Sequence, residues 1–381
     1  MQRVPHGSGR AALPTVTSAV DLEVVHDTRY RYASAVSLAH HLAHLQPLED
    51  AHQQLLAFRL DVTPAGADVR AGRDSFGNTQ HHVSLAHPHP QLHVRAASHV
   101  RVHPRFQDLQ AEAAPAWDEL AASLRYVARA AYQPALQFVM PSPYVPRLPQ
   151  LRAYALPHFP PGRPVAAAAL ALMHGMHADF VYKSHSTDID TPLAQAFAQK
   201  RGVCQDFAHL LAGMLRMLGL PARYVSGYLL TQPPEGAPGH DSGAAPGAAD
   251  AAGAAGAAGT AMLGADASHA WVQVWCPGTP GVPHAAAGPE DGPSPAADPA
   301  GWLDLDPTND LVPGTGHVRV AVGRDFGDVT PLRGVIRGGG RHGLQVGVRT
   351  RVLAPHEVGE LAPHAPGARD TVPGVLVARK A

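Results

Sequence analysis

Three residues of this chain have the types and order needed for nucleophilic acyl transfer: Cys204, His269 and Asp306. Around the cysteine the sequence reads Arg201-Gly202-Val203-Cys204-Gln205-Asp206-Phe207-Ala208-His209-Leu210. Phe207, Leu210, Leu211, Met214 and Leu218 recur at helical spacing, and Gly219 with Pro221 supplies a stop. The pattern predicts a helix from about Cys204 to Leu218, with Cys204 in its first turn behind a glycine that permits close backbone approach. Helix N-termini carry partial positive charge and unpaired N–H groups, which favour a thiolate and can serve an oxyanion. The plain alternative is an inert buried cysteine, a common fate of the free thiol.

A nucleophile needs a base. Ser268-His269-Ala270-Trp271-Val272-Gln273-Val274-Trp275 alternates as a strand, with His269, Trp271, Gln273 and Trp275 on one face and Ala270, Val272, Val274 and Cys276 on the other. A histidine at the head of such a strand can project toward a helix terminus, whereas Cys276, on the opposite face, reads as structural. Gly301-Trp302-Leu303-Asp304-Leu305-Asp306-Pro307-Thr308-Asn309 is a second short strand, closed by its proline. A carboxylate at its end could hold the imidazole through one ring nitrogen and stabilise its cation. Spacing leaves Asp304 and Asp306 equally placed, and two solvated aspartates before a turn fit the same residues. Asp206 is expected to interact with the positive helix terminus, and His209 to be packing or surface.

The elements around these residues divide the chain. From Asp21, alternating β-formers read as strands: Leu22–Tyr32, Leu55–Val62, His81–Leu85, Leu92–Ala96 and His99–His103, with turns at Pro64-Ala65-Gly66 and Phe76-Gly77-Asn78. They predict an antiparallel β domain over residues 19–105, after a loose tail at 1–18. Ala111 to Ala131 reads as helical within a linker region, 106–160. A second domain, 161–350, opens with a helix over Val165–Ala178, a short extended segment at Phe180–Tyr182, and a helix start with Thr191 as N-cap and Pro192 at the first position. Segments 236–264 and 277–300 are dominated by Gly, Ala and Pro and cannot bury enough apolar surface to offset ordering, so they are expected to be mobile inserts. Residues 351–381 form a Pro-rich tail.

Composition narrows the partners. With 381 residues the chain is long enough for two domains, and 45% hydrophobic residues supply their cores. A formal net charge of -1 and 16% charged residues speak against a nucleic-acid binder. Two cysteines cannot build a disulfide framework, and Met1–Val20 lacks the apolar core of a signal peptide. No run approaches the roughly 20 apolar residues of a membrane span. The expected setting is the cytoplasm, away from membranes.

Four segments resemble the bacterial transglutaminase-like family: Gly202-Val-Cys204-Gln-Asp206-Phe-Ala-His209, Pro221-Ala-Arg223-Tyr224-Val-Ser-Gly227-Tyr228, Ala267-Ser-His269-Ala-Trp271, and Gly301-Trp302 through Asp306-Pro-Thr-Asn309. His26-Asp-Thr-Arg-Tyr-Arg-Tyr32 and Phe76-Gly-Asn78 are similar to the β-rich domain usually joined to that core, and Thr187–Thr191 and Gly323–Val329 also match. The resemblance covers roughly residues 21–350. It implies an α+β fold, with a papain/transglutaminase-like core in which a helix bearing the cysteine packs on an antiparallel sheet bearing the histidine and the aspartate. It also implies a Cys204–His269–Asp306 triad, with Asp306 rather than Asp304 as the acid. The implied activity is thioester-forming acyl transfer on peptide or carboxamide bonds without a cofactor or metal. Hydrolysis, as in a cysteine protease or amidase, is the first expectation because the sequence shows neither a separate acceptor motif nor calcium-site spacing.

Two alternatives are a true transglutaminase that passes the acyl group to an amine acceptor and a catalytically silent binding module. Tyr182, Trp271 and Gln205 are the candidate substrate contacts, the segment Phe180–Tyr182 a candidate source of an oxyanion donor, and Arg324, Asp325 and Asp328 candidate cleft residues. A metal site is the remaining rival. His40, His41 and His44, or His174 and His177, have helical spacings that could serve one, but neither group shows a His-Glu-x-x-His pattern.

Overall fold

The computed structural model describes residues 18–129, 132–184, 191–231, 262–263, 268–283, 300–359 and 361, and the backbone of 376–379. In chain order it contains β1 (Val20–Ala43), β2 (Gln53–Thr63), β3 (Asp68–Arg73), β4 (Thr79–Leu85) and β5 (His89–Val102). Next come α1 (Trp117–Ser123), α2 (Pro149–Ala155), α3 (Val165–Asp179), β6 (Val181–Tyr182), α4 (Leu193–Gln199), β7 (Arg201–Gly202) and α5 (Cys204–Met217). Strands β8 (Ala222–Leu229), β9 (His269–Trp275), β10 (Trp302–Leu305), β11 (His317–Gly323), β12 (Leu332–Gly338), β13 (His342–Val352) and β14 (Leu376–Arg379) complete it.

The long strand β1 organises an eight-stranded antiparallel sheet. Its first half lies between β5 and β13, its second half between β4 and β12; β2 extends the sheet beyond β5, β3 beyond β4 and β14 beyond β13. A second, four-stranded antiparallel sheet runs β10-β9-β8-β11, and α5 packs on its β8 and β9 strands. Every residue of β8, β9, β10 and β11 is buried, because strands covered on both faces have no side to give to water. The fold is therefore α+β, with a helix on an antiparallel sheet and a separate β-rich sheet beside it.

Several expectations are revised. Leu92–Ala96 and His99–Val102 belong to one strand, β5, and His103 lies just past its end. The helix expected over 111–131 is broken into a short 3-10 turn at Ala111–Ala113 and α1, with Pro115 between them, where a missing N–H and ring crowding interrupt a helix. At α4 the cap is Pro192, one position later than expected, and Thr191 precedes it. The boundary at residue 350 divides the chain differently from its strand pairing: β12 and β13 leave the core and pair with β1. The tail expected from 351 includes the end of β13, a 3-10 turn at Pro355–Glu357 and β14. His40 and His41 lie on β1, an extended strand, so helical spacing to His44 has no meaning there. The tail at 1–17, most of both inserts and the matching segment at 187–190 lie outside the described residues.

Candidate active site

The thiol position is set by a tight loop in which a glycine leaves room for the Asp206 side chain. Strands β6 and β7 pair in parallel, with Tyr182 opposite Gly202, and two residues later α5 begins at Cys204. The N-cap Val203 is extended, and the Asp206 carboxylate turns back to accept its N–H at 2.9 Å. That bond satisfies one backbone donor and puts a negative charge at the positive helix end. A Cβ on Gly202 would sit 2.5 Å from Asp206 Oδ2 and 2.7 Å from its Cβ, which explains the glycine. Cys204 stays partly accessible, while Cys276 is buried and its thiol is held well above its ordinary pKa by that burial.

Opposite the thiol stands an imidazole held from behind. His269 Nε2 lies 2.9 Å from Asp306 Oδ2, both side chains being fully buried. The same carboxylate accepts from Asn309 Nδ2 at 2.8 Å and His317 Nε2 at 3.2 Å, and its other oxygen accepts the backbone N–H groups of Thr308 at 3.0 Å and Asn309 at 3.3 Å. Burial raises the Asp306 pKa, but the His269 charge and this set of donors outweigh it and hold the carboxyl well below the usual range. A carboxylate in that state has no proton to give, so both imidazole nitrogens facing it must be N–H donors. Burial pulls His269 down, yet the Asp306 charge, the Asp306 hydrogen bond and then Cys204 push it up to about 10. Nδ1 of His269 is buried without a hydrogen-bond partner among the described residues, and Cys204 lies near enough to act on the ring.

The two aspartates that spacing could not separate have different neighbours. Asp306 meets His269, whereas Asp304 lies 3.6 Å from buried Arg105. Arg105 also approaches Asp50, which pairs with Arg319, so this cluster ties the β1 sheet region to the core.

Among the candidate substrate contacts, Gln205 and Tyr182 are partly exposed. Trp271 is not available to a substrate: it is 0% exposed, stacked at 6.1 Å on His269. His209 is packing rather than surface; it stacks on Tyr144 and accepts the Phe326 N–H at 3.1 Å, and burial followed by the Arg216 charge lowers it to about 3. The candidate cleft residues shape a turn instead: Arg324 makes paired 2.9 Å bonds to Asp328, and Asp325 accepts the Tyr144 N–H. His174 contacts Asp310, and His177 Nδ1 lies 3.3 Å from the Pro307 carbonyl, so both steady the loop after Asp306. No group of three or more metal-ligating side chains is found among the described residues. His317 was not foreseen. One of 25 histidines, it stands at the head of an alternating stretch, as His269 does, and that shared position was the only signal.

A helix-borne thiol facing a carboxylate-held imidazole on an antiparallel sheet defines a protein of the papain/transglutaminase-like class. The chain belongs to the bacterial transglutaminase-like family: residues 22–101 match the bacterial transglutaminase-like N-terminal region and residues 160–307 the transglutaminase-like superfamily core. An uncharacterized protein of Mycobacterium tuberculosis (strain H37Rv) is 35% identical over 318 residues, covering 82% of this chain and 86% of the relative. An uncharacterized Mycobacterium leprae protein is 31% identical over 341 residues, covering 87% and 99%. The fold is shared with a crystal structure from Cytophaga hutchinsonii described as a putative cysteine protease, at a TM-score of 0.58 and 19% identity over 94% of this chain and 98% of that one.

Proposed function

We propose that the chain is a cysteine-nucleophile acyl-transfer enzyme that cleaves peptide or carboxamide bonds through a thioester on Cys204. The observation that carries this reading is the buried His269 held on Asp306 with the Cys204 sulfur acting on the same ring. In the proposed reaction the sulfur attacks the carbonyl carbon as a thiolate paired with the protonated His269 ring. A C–S bond forms, and the oxyanion is received by backbone N–H groups at the start of α5. His269 then protonates the departing nitrogen as the C–N bond breaks, releasing an amine or ammonia and leaving the thioester. Water, deprotonated by His269, attacks the thioester and returns the acid and the thiol. If a primary amine takes the place of water, the same intermediate gives a new amide.

Hydrolysis is the first outcome we assign, with a peptide or protein as substrate and partly exposed Gln205 and Tyr182 as contacts beside the sulfur. No described helix is long and apolar enough to cross a membrane, and both cysteines are free, which fits work in the reducing cytoplasm.

The test is mass spectrometry of a glutamine-containing peptide incubated with the protein, with and without a primary amine. Cleavage or deamidation that persists when amine is present supports hydrolysis, and amine incorporation identifies transfer. Equal product from a Cys204→Ala protein would reject the thioester.

A further inference from the structure

Two imidazoles, not one, converge on the Asp306 carboxylate. His317 heads β11, His269 heads β9, and β8 lies between those strands. At the level of the site β8 contributes Gly227, which pairs with His269 on one side and with Arg319 on the other. The missing side chain matters, because a Cβ at Gly227 would meet the Trp271 ring at 2.3 Å and the Val318 carbonyl at 2.3 Å. Trp271 fills the gap, stacked on His269 at 28° between ring planes and edge-on to His317 at a centroid distance of 5.3 Å. Both imidazoles are thereby wedged against one indole while their Nε2 atoms reach the same oxygen, Asp306 Oδ2, at 2.9 and 3.2 Å.

We infer that His317 is a positioning residue for His269: a neutral imidazole whose Nε2–H holds Asp306 Oδ2 in the one direction from which it orients the His269 ring toward Cys204. This inference rests on the proposed role of Cys204 and His269. Its physical content is a third donor to Oδ2, beside His269 and Asn309, that comes from a separate strand. Apart from the two histidines, the donors to this carboxylate come from Thr308 and Asn309, in the loop that carries Asp306 itself. Without His317 the carboxylate and its loop can therefore shift together, and the imidazole would follow. With His317 in place the oxygen is fixed from a separate strand. Burial keeps the His317 pKa below its ordinary value, so that it contributes a donor and no net charge.

The test uses the full-length protein, with iodoacetamide as probe and buried Cys276 as the internal report of unfolding. In the wild type Cys204 should be labelled far faster than Cys276. His317→Leu should slow Cys204 labelling roughly tenfold, the scale of a hydrogen bond to a charged group, with Cys276 labelling unchanged. His317→Gln, which returns an N–H, should restore most of the rate. Labelling of the leucine protein at the wild-type rate, or no rescue by glutamine, would overturn the inference; a purely structural role would speed Cys276 labelling and leave the folded protein's Cys204 rate alone.

If His317→Leu does not fold, nitrogen-15 NMR of the wild-type histidines decides. A neutral His317 with its proton on Nε2 supports the inference, and a proton on Nδ1 with Nε2 bare overturns it. Wild-type protein in which Cys204 is no faster than Cys276 would instead reject the proposed function, and the inference with it.

Discussion

Replacing Asp306 by Asn keeps nearly the same shape and removes the charge. In the wild type His269 is pushed up to about 10 against an ordinary 6.5, despite burial that acts in the opposite direction. A rise of that size corresponds to on the order of 5 kcal/mol at 1.36 kcal/mol per tenfold change in proton affinity. The figure is a ceiling, because the pair titrates as one system. The folded state binds the His269 proton between pH 6.5 and 10 and the unfolded chain does not, so stability must fall as pH rises through that window. The contribution is complete below 6.5 and gone above about 10.

In Asp306→Asn the imidazole loses the charge that sustains it, and burial alone should drive its pKa below 6.5. The downward slope then disappears. Urea unfolding at a series of pH values from 6 to 10.5, read by tryptophan fluorescence, measures this directly. The wild type should lose several kcal/mol more than the variant across the range. The buried Cys276 thiol adds a slope of the same sign near the alkaline end, but it is common to both proteins and cancels in the difference. Parallel pH profiles in the two proteins would refute the coupling between Asp306 and His269.

Three further outcomes follow from particular contacts. Gly202→Ala drives a methyl group into the Asp206 carboxylate that caps α5, so it should cost about 1–3 kcal/mol and slow Cys204 alkylation, measured by urea unfolding and iodoacetamide labelling. Gly227→Ala meets a backbone carbonyl that cannot move aside as well as the Trp271 ring; a loss of about 3 kcal/mol or more is expected, with a shift in the near-ultraviolet signal of the displaced indole. Buried His26 and His41, each lowered to about 4, and His209, lowered to about 3, are neutral in the fold. The unfolded chain takes up their protons first, so stability should fall by several kcal/mol as pH drops from 6.5 toward 4, and His209→Gln should reduce that slope.

The sequence made the cysteine legible because two independent patterns agreed on it: the apolar spacing from Phe207 to Leu218 set the helix, and Gly202 marked the turn before it. His269 was legible through strict alternation in β9, which also put Cys276 on the far side. Asp304 and Asp306 could not be separated by spacing, since parity gives them the same face; what separates them is Arg105, a residue some 200 positions away in the chain. His317 was hidden for the same reason, because its significance comes from a carboxylate on a different strand. The strands β12 and β13 return to β1 through pairing that no local pattern encodes. Trp271 shows the opposite error: an aromatic beside a candidate base suggests a substrate platform, yet complete burial makes it the wedge that sets two imidazoles.

The central claim is that Cys204 carries the acyl group. An activated ester such as 4-nitrophenyl acetate, quenched in acid after a fraction of a turnover and followed by peptide mapping, reads this out as mass. The account predicts one acetyl group on the peptide containing Cys204, released by hydroxylamine, with Cys276 unmodified. Ester turnover that continues at full rate with no acyl group on Cys204, or that survives Cys204→Ala, would contradict it.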